Sequence, residues 1–184
     1  SMMDDYREVI GDALVTKGYS VCTKNDSELK EAVDLIKTSW LPNIVKFDAE
    51  GFGKDFARGD LWLCQGYAEV IYGEVPEEEW DSTIDFFIPE EGGPSYVDSM
   101  CILKDSTNAE LATEFLNFIP RPENSAKFLD FFRFPCYVNL EAEQYMQVTP
   151  MYSASVMENC ELKNDLGDYL ETYYNMWEKI RITN

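Results

Sequence analysis

Five segments of the chain carry apolar residues at the three- and four-residue spacing of an amphipathic helix. They cover about 4–17, 27–38, 108–119, 122–132 and 164–180. Acidic residues open the first segment and Gly18 follows it, which predicts a helix with defined ends. Two short helical segments are also expected, near 54–57 and over 66–72.

Short apolar or alternating runs between these helices predict strands. The run 60–64 is apolar enough for a buried strand, and 84–88 and 96–103 are strand-like. The acidic stretch 74–81 is expected to be a solvated loop, and 89–94 a turn rich in proline and glycine. Because strands and helices alternate, the predicted class is α/β.

The composition is that of a folded and strongly acidic protein. Hydrophobic residues make up 45% of the 184 residues, which is enough for a core. The 35 acidic residues against 15 Lys and Arg give a formal charge of −20. This charge disfavours nucleic acid as a partner, since phosphate contacts need basic residues. It fits a cationic partner, although solubility alone also explains it.

Several kinds of chemistry are excluded by the residues that are missing. The sequence has no histidine, so Ser-His-Asp and Cys-His catalysis and His-ligated metals are excluded. Its five cysteines are widely spaced without a Cys-x-x-Cys pair, which is typical of free thiols. A carboxylate pair or Cys64 as a nucleophile would still lack a histidine base, so we expect a protein that is not an enzyme and needs no cofactor.

Two groups of residues have the chemistry to hold an organic cation. Asp5 and Glu8 are three apart at a helix start, where they either cap the helix or form a carboxylate pair. Tyr96 and Asp98 would share one face of the predicted strand 96–103. An aromatic ring beside an acid can bind an ammonium group, but the pair is equally explained by ordinary packing at a strand end.

The second group lies in a longer motif that resembles a known family. Residues 91–99 read EGGPSYVDS, 116–124 read LNFIPRPEN, and 164–167 read NDLG before a tyrosine-rich helix. Together with DYREV at 5–9 and QGYA at 65–68, they resemble the substrate-binding proteins of spermidine/putrescine ABC transporters. The resemblance covers only the C-terminal half of such a protein.

The resemblance implies a two-lobed periplasmic-binding-protein fold of type II. Residues 1–95 and 137–184 would form the second lobe, the latter stretch ending in the C-terminal helix. Residues 96–136 would be crossover elements that normally pack on a missing N-terminal lobe. Without that lobe their apolar faces would need cover, and packing between copies of the chain is expected to supply it.

The resemblance also implies which residues bind the ligand. The acids that hold the polyamine correspond to Asp5, Glu8 and Asp98, and the pocket aromatic to Tyr96. Four further pocket positions carry Cys64, Gln65, Phe134 and Lys163. Cys64 stands where the family has a tryptophan, Phe134 where it has a tyrosine, and Lys163 where it has a glutamine.

The change to a lysine has two interpretations. If the Lys163 ammonium enters the pocket, it competes with one ligand nitrogen for the acids, and the site then favours putrescine over spermidine. If its side chain extends to solvent, the change costs little.

The sequence therefore predicts the C-terminal portion of a polyamine-binding component of an ABC importer, which would act with permease subunits. The alternative is an acidic interaction domain of the same fold that has lost polyamine binding. The resemblance implies a periplasmic or extracytoplasmic location at the membrane, as a free binding protein, a lipoprotein or a permease fusion.

Overall fold

A computed structural model describes residues 1–182. Helices dominate, and the strands are short. The α-helices are α1 (Tyr6–Thr16), α2 (Asp26–Leu35), α3 (Phe52–Ala57), α4 (Ala68–Tyr72), α5 (Trp80–Thr83), α6 (Ala109–Phe118), α7 (Pro122–Phe132) and α8 (Leu170–Arg181). The strands are β1 (Pro94–Ser95) and β2 (Glu161–Leu162). Helix α2 continues into a π-helical turn, Ile36–Trp40, and 3-10 turns occur at Leu41–Asn43, Glu77–Glu79, Leu140–Tyr145, Ala154–Asn159 and Gly167–Tyr169.

The chain divides into two compact units. The first comprises Ser1–Tyr96 and the chain from Glu158 onward, and the second comprises Val97–Met157. The assignment of residues 1–95, 96–136 and 137–184 to lobes stays a prediction from the resemblance.

The core of the first unit lies where α1 packs against α2 and α8. Helix α1 starts where Asp5 accepts hydrogen bonds from the first free amides, and it ends before Gly18, whose φ of +77° suits glycine. The Tyr173 hydroxyl is buried and donates to the carbonyl oxygen of Thr23 at 2.8 Å. The fully buried side chains of this core include Val9, Ile10, Leu14, Leu29, Ile36, Tyr173 and Ile180.

A two-residue parallel pair of strands lies against α1. Pro94 is opposite Glu161 and Ser95 is opposite Leu162. A side-chain carbon on Gly92 would lie 1.8 Å from the Asn159 carbonyl oxygen, so the approach to β1 requires glycine. Gly11 on α1 likewise allows the close approach of β1, because a side-chain carbon there would lie 2.5 Å from the Pro94 ring.

The second unit is built on α6, α7 and the turn Leu140–Tyr145, which packs on α7. The Asp130 carboxylate on α7 accepts hydrogen bonds from the amides of Gln147 and Val148 at 3.0 and 3.1 Å. Many of this unit's large apolar side chains are exposed. Among them are Leu111, Phe115, Phe118, Phe128 and Phe131.

Three predicted strands are wrong. Residues 60–64, 84–88 and 96–103 have no strand structure. In the first run only Leu61 is buried, while Trp62 and Leu63 are 90% and 72% exposed. A strand needs a neighbour for its backbone groups, and the described residues offer these runs none. Tyr96 and Asp98 therefore do not share a strand face.

One loop prediction and one helix boundary also need correction. The stretch 74–81, predicted to be a loop, contains the turn Glu77–Glu79 and the start of α5. The Trp80 indole anchors it by donating to the Val75 carbonyl oxygen at 2.8 Å. The last helix begins at Leu170 rather than near 164, because Gly167 has a φ of +55° that interrupts the helix.

Candidate functional site

The carboxyl ends of β1 and β2 bring Tyr96 and Lys163 side by side. Each residue directly follows its strand, and the Lys163 amide donates to the Ser95 carbonyl oxygen at 2.8 Å. The strands are parallel, so both side chains emerge at the same edge. This edge is where parallel α/β sheets commonly bind ligands.

Lys163 is held between a carboxylate and an aromatic ring. Its ammonium hydrogen-bonds to Oε1 of Glu8 and lies 5.0 Å from the centre of the Tyr96 ring. Only 17% of the Lys163 side chain and 9% of the Glu8 side chain are exposed. The charge-assisted hydrogen bond and the cation–π contact are the two interactions expected for a bound ammonium. The Lys163 side chain therefore lies largely inside the protein.

Asp5 positions Glu8 by starting helix α1. Its carboxylate accepts hydrogen bonds from the amide of Arg7 at 2.7 Å and from that of Glu8 at 3.2 Å. This is the capping interpretation of Asp5 and it sets Glu8 in the first turn. Asp5 and Glu8 are thus brought together, with Glu8 carrying the ion pair.

Asp12, one turn after Glu8 on the same face of α1, was missed by the sequence interpretation. It is half-buried and lies beside the side chain of Gln65. Burial raises the pKa of Asp12 to about 7, and the nearby charge of Glu8 acts in the same direction. The polar side chain of Gln65 and the charge of Lys163 act in the opposite direction and lower the pKa of Asp12. The spacing of Asp5, Glu8 and Asp12 on one helical face was the available signal.

Tyr67 was missed as well, and it completes the aromatic side of the site. Its ring packs edge-on against Tyr96, with ring centres 6.0 Å apart. Burial, followed by the charge of Glu8, raises the pKa of the Tyr67 hydroxyl. Gln65 joins this group through its contact with Asp12, and its Oε1 accepts from the Met3 amide at 2.8 Å.

The remaining predicted residues are less closely tied to this cluster. Cys64 is a half-buried free thiol beside Gln65 in the chain. Asp98 and Phe134 belong to the second unit, where Asp98 is exposed and Phe134 stacks on Phe132 with ring centres 5.3 Å apart. The ligand-binding roles of these three residues stay predictions.

The cluster therefore has the chemistry of an ammonium site. Glu8 and Asp12 supply carboxylates, Tyr96 and Tyr67 supply aromatic walls, and Lys163 supplies one cation. Between residues 1 and 182, no three or more histidine, cysteine or acidic residues are grouped to hold a metal ion.

The chain matches a known family over most of its length. Residues 1–154 fit the family model described as bacterial extracellular solute-binding protein. The chain belongs to this family. The resemblance inferred from the motifs is thereby confirmed.

Curated relatives of this solute-binding chain are named for polyamines. The putrescine-binding periplasmic protein SpuD of Pseudomonas aeruginosa is 33% identical over 92% of the chain and 43% of its own length. The spermidine/putrescine-binding periplasmic protein of Escherichia coli is 26% identical over 98% of the chain and 52% of its own length. The chain thus spans about half the length of the curated relatives it matches.

A solved structure confirms the fold. The TpPotD lipoprotein of Treponema pallidum superposes with a TM-score of 0.93 at 46% identity, over 98% of this chain and 57% of that one. The predicted α/β fold of the type II periplasmic-binding-protein kind is therefore confirmed, with few strands in this part of it. Among the described residues, no helix combines the length and apolar character needed to span a bilayer.

Proposed function

We propose that the chain is the C-terminal portion of a polyamine-binding component of an ABC transporter. The observation that carries this proposal is the binding of the Lys163 ammonium between Glu8 and the Tyr96 ring. Polyamines are ammonium groups joined by methylene spacers, so they need the same carboxylates and aromatic walls. The names of the relatives support this ligand class.

In the intact protein the ligand would be enclosed between two lobes. Asp5, Glu8 and Asp98 would bind its ammonium groups, and Tyr96 would line its methylene spacers. Cys64, Gln65, Phe134 and Lys163 would complete the pocket. Permease subunits would receive the ligand, and the protein would act outside the cytoplasm at the membrane. The lipoprotein description of TpPotD supports a lipid anchor over a permease fusion.

A second candidate is an acidic interaction domain that no longer binds polyamines. It is favoured by the same ion pair, because Lys163 already occupies the Glu8 carboxylate that a ligand would need. Under this alternative the cation is a permanent structural partner and the site is closed to amines.

Calorimetric titration and thermal unfolding distinguish the two candidates. Putrescine, spermidine and calcium chloride are added to this chain and to the intact protein. A polyamine that binds only the folded state raises the midpoint of unfolding, and calcium should leave it unchanged. If the intact protein shows no binding heat and no rise in the unfolding midpoint with either polyamine, the proposal is overturned and the interaction domain is favoured.

A further inference from the structure

The cluster around Glu8 contains one more carboxylate than its single cation balances. The Lys163 ammonium hydrogen-bonds to Glu8, and Asp12 lies on the next turn of α1. Gln65 also lies beside Asp12, but it is neutral and its oxygen accepts from the Met3 amide. The site therefore holds two carboxylates that compete for one ammonium.

The groups around Asp12 come from four parts of the first unit. Glu8 lies on its own helix, Gln65 on the loop before α4, and Lys163 immediately after β2. The Cys160 thiol, just before β2, has its pKa raised mainly by burial and further by the charge of Asp12. Gly93 lies close on the β1 side, since a side-chain carbon there would be 3.5 Å from Oδ1 of Asp12. Lys163 is thus the cation that acts on Asp12 in this group.

We propose that Asp12 holds a proton while Lys163 is bound to Glu8, and that it loses this proton when an amine ligand replaces Lys163 there. The inference rests on the proposed function, because it needs an amine to enter the site. In the exchange the arriving ammonium pairs with Glu8, Lys163 turns to Asp12, and the O–H proton of Asp12 passes to water. One cation enters as one proton leaves, so the charge of the cluster is unchanged.

The energetic reason is the cost of an unpaired charge in a partly buried site. With Asp12 protonated, Glu8 and Lys163 form a neutral pair. Adding an ammonium to that pair without removing a proton would leave one cation uncompensated, which is costly away from water. The rise of the Asp12 pKa to about 7 makes the exchange accessible near neutral pH. Binding should accordingly strengthen as the pH rises through 6 to 8.

The test is calorimetric titration of the intact protein with putrescine, in phosphate and in MES at pH 6 and in borate and in TAPS at pH 8.5. These buffers differ in their heat of protonation, so the difference in observed heat counts the protons released. We expect release approaching one proton per amine at pH 6, and little or none at pH 8.5. Asp12→Asn should bind putrescine without this release. Asp34→Asn, an exposed acid on α2, should behave as the unaltered protein does.

A second measurement covers the case in which Asp12→Asn fails to fold. Carboxyl carbon NMR follows the titration of Asp12 in the unaltered protein with and without saturating putrescine. We expect the titration midpoint to fall by about two pH units or more on binding, as an approaching cation requires. Heat that is independent of the buffer, or a midpoint that does not move, would overturn the inference while leaving amine binding intact. Absence of amine binding in any buffer would instead overturn the proposed function, and the inference with it.

Discussion

At the scale of single residues, we predict that Lys163 determines how many ligand nitrogens the proposed site accepts. Its ammonium lies against Glu8 and Tyr96, where we propose that a polyamine nitrogen binds. Two like charges about 4 Å apart repel by about 4 kcal/mol at an effective dielectric of 20. That energy is large enough to exclude a longer and more highly charged amine.

Replacing Lys163 with glutamine should therefore raise the affinity for spermidine more than that for putrescine. The neutral amide frees the Glu8 carboxylate for a further ligand nitrogen. Calorimetry on the intact protein measures both constants. Lys30→Gln is the matched control, since it removes the same charge from an exposed position on α2. Equal effects of Lys163→Gln on both ligands, or none, would mean that selectivity is set elsewhere.

Asp98 allows a separate test of the ligand assignment. We expect Asp98→Asn to weaken polyamine binding more than tenfold in the intact protein. Removing one partner of a buried charge pair costs about 2–5 kcal/mol. Asp105→Asn, at an exposed position in the same unit, should leave the dissociation constant unchanged. An unchanged constant for Asp98→Asn would remove this residue from the site.

At the scale of elements, Gly92 controls the approach of β1 to β2. Its φ is +87°, and a side-chain carbon there would overlap the Asn159 carbonyl oxygen. Gly18 also has a positive φ, but nothing lies within 4 Å of a carbon built on it. Comparing substitutions at the two glycines therefore distinguishes the cost of a positive φ from the added cost of steric overlap.

Gly92→Ala should lower the free energy of unfolding well beyond Gly18→Ala. Gly18→Ala should cost about 1–2 kcal/mol, the usual cost of a left-handed conformation for a residue with a side chain. Gly92→Ala adds displacement of the Asn159 backbone to that cost. Urea unfolding measures both variants. Equal losses would show that the loop before β2 can shift without cost.

The sequence predicted helices much better than strands, and for a physical reason. Helix α7 has the predicted bounds Pro122–Phe132, because proline at a first helical position is a local signal. The strands at β1 and β2 are two residues each, and their pairing joins positions that are far apart in the sequence. Local alternation cannot reveal such a pair, so 60–64 and 96–103 were wrongly predicted as strands.

The site was predicted in the same uneven way. Asp5 and Glu8 could be selected because they open a helix, and Tyr96 and Lys163 because the family motif marks them. Asp12 shares the helical spacing of Asp5 and Glu8, but its burial beside Gln65 depends on tertiary contacts that the sequence does not show. Sequence reasoning thus found the residues with a local or family signal and missed those defined by tertiary contacts.

At the scale of the whole molecule, the second unit exposes a row of large apolar side chains. Phe115, Phe128 and Phe131 are 60%, 55% and 79% exposed. A surface of this kind is uncommon on a monomer and usually binds a partner. In the intact protein, a first lobe is the partner implied by the resemblance. For this chain by itself, packing between copies stays our prediction.

We expect this chain to self-associate at micromolar concentration, as seen by sedimentation velocity. Phe131→Ser should shift the population toward monomer, because it removes the most exposed of these three rings. Val45→Ser changes a comparably exposed apolar residue in the first unit and should have no effect. A monodisperse monomer of the unaltered chain would contradict the prediction.

The position of Lys163 should also affect how the affinity for an amine depends on salt. Lys163 belongs to the same chain as Glu8 and the fold holds its ammonium beside the Glu8 carboxylate. It therefore competes with an amine at an effective concentration that dilution does not reduce. An amine that binds Glu8 displaces an ammonium that is already there, and in the proposed exchange the charge of the cluster does not change. Added salt screens both pairs alike, so this contact should contribute little to the ionic-strength dependence of affinity. If the proposed function holds, binding would depend on the concentration of amine more than on the salt that accompanies it.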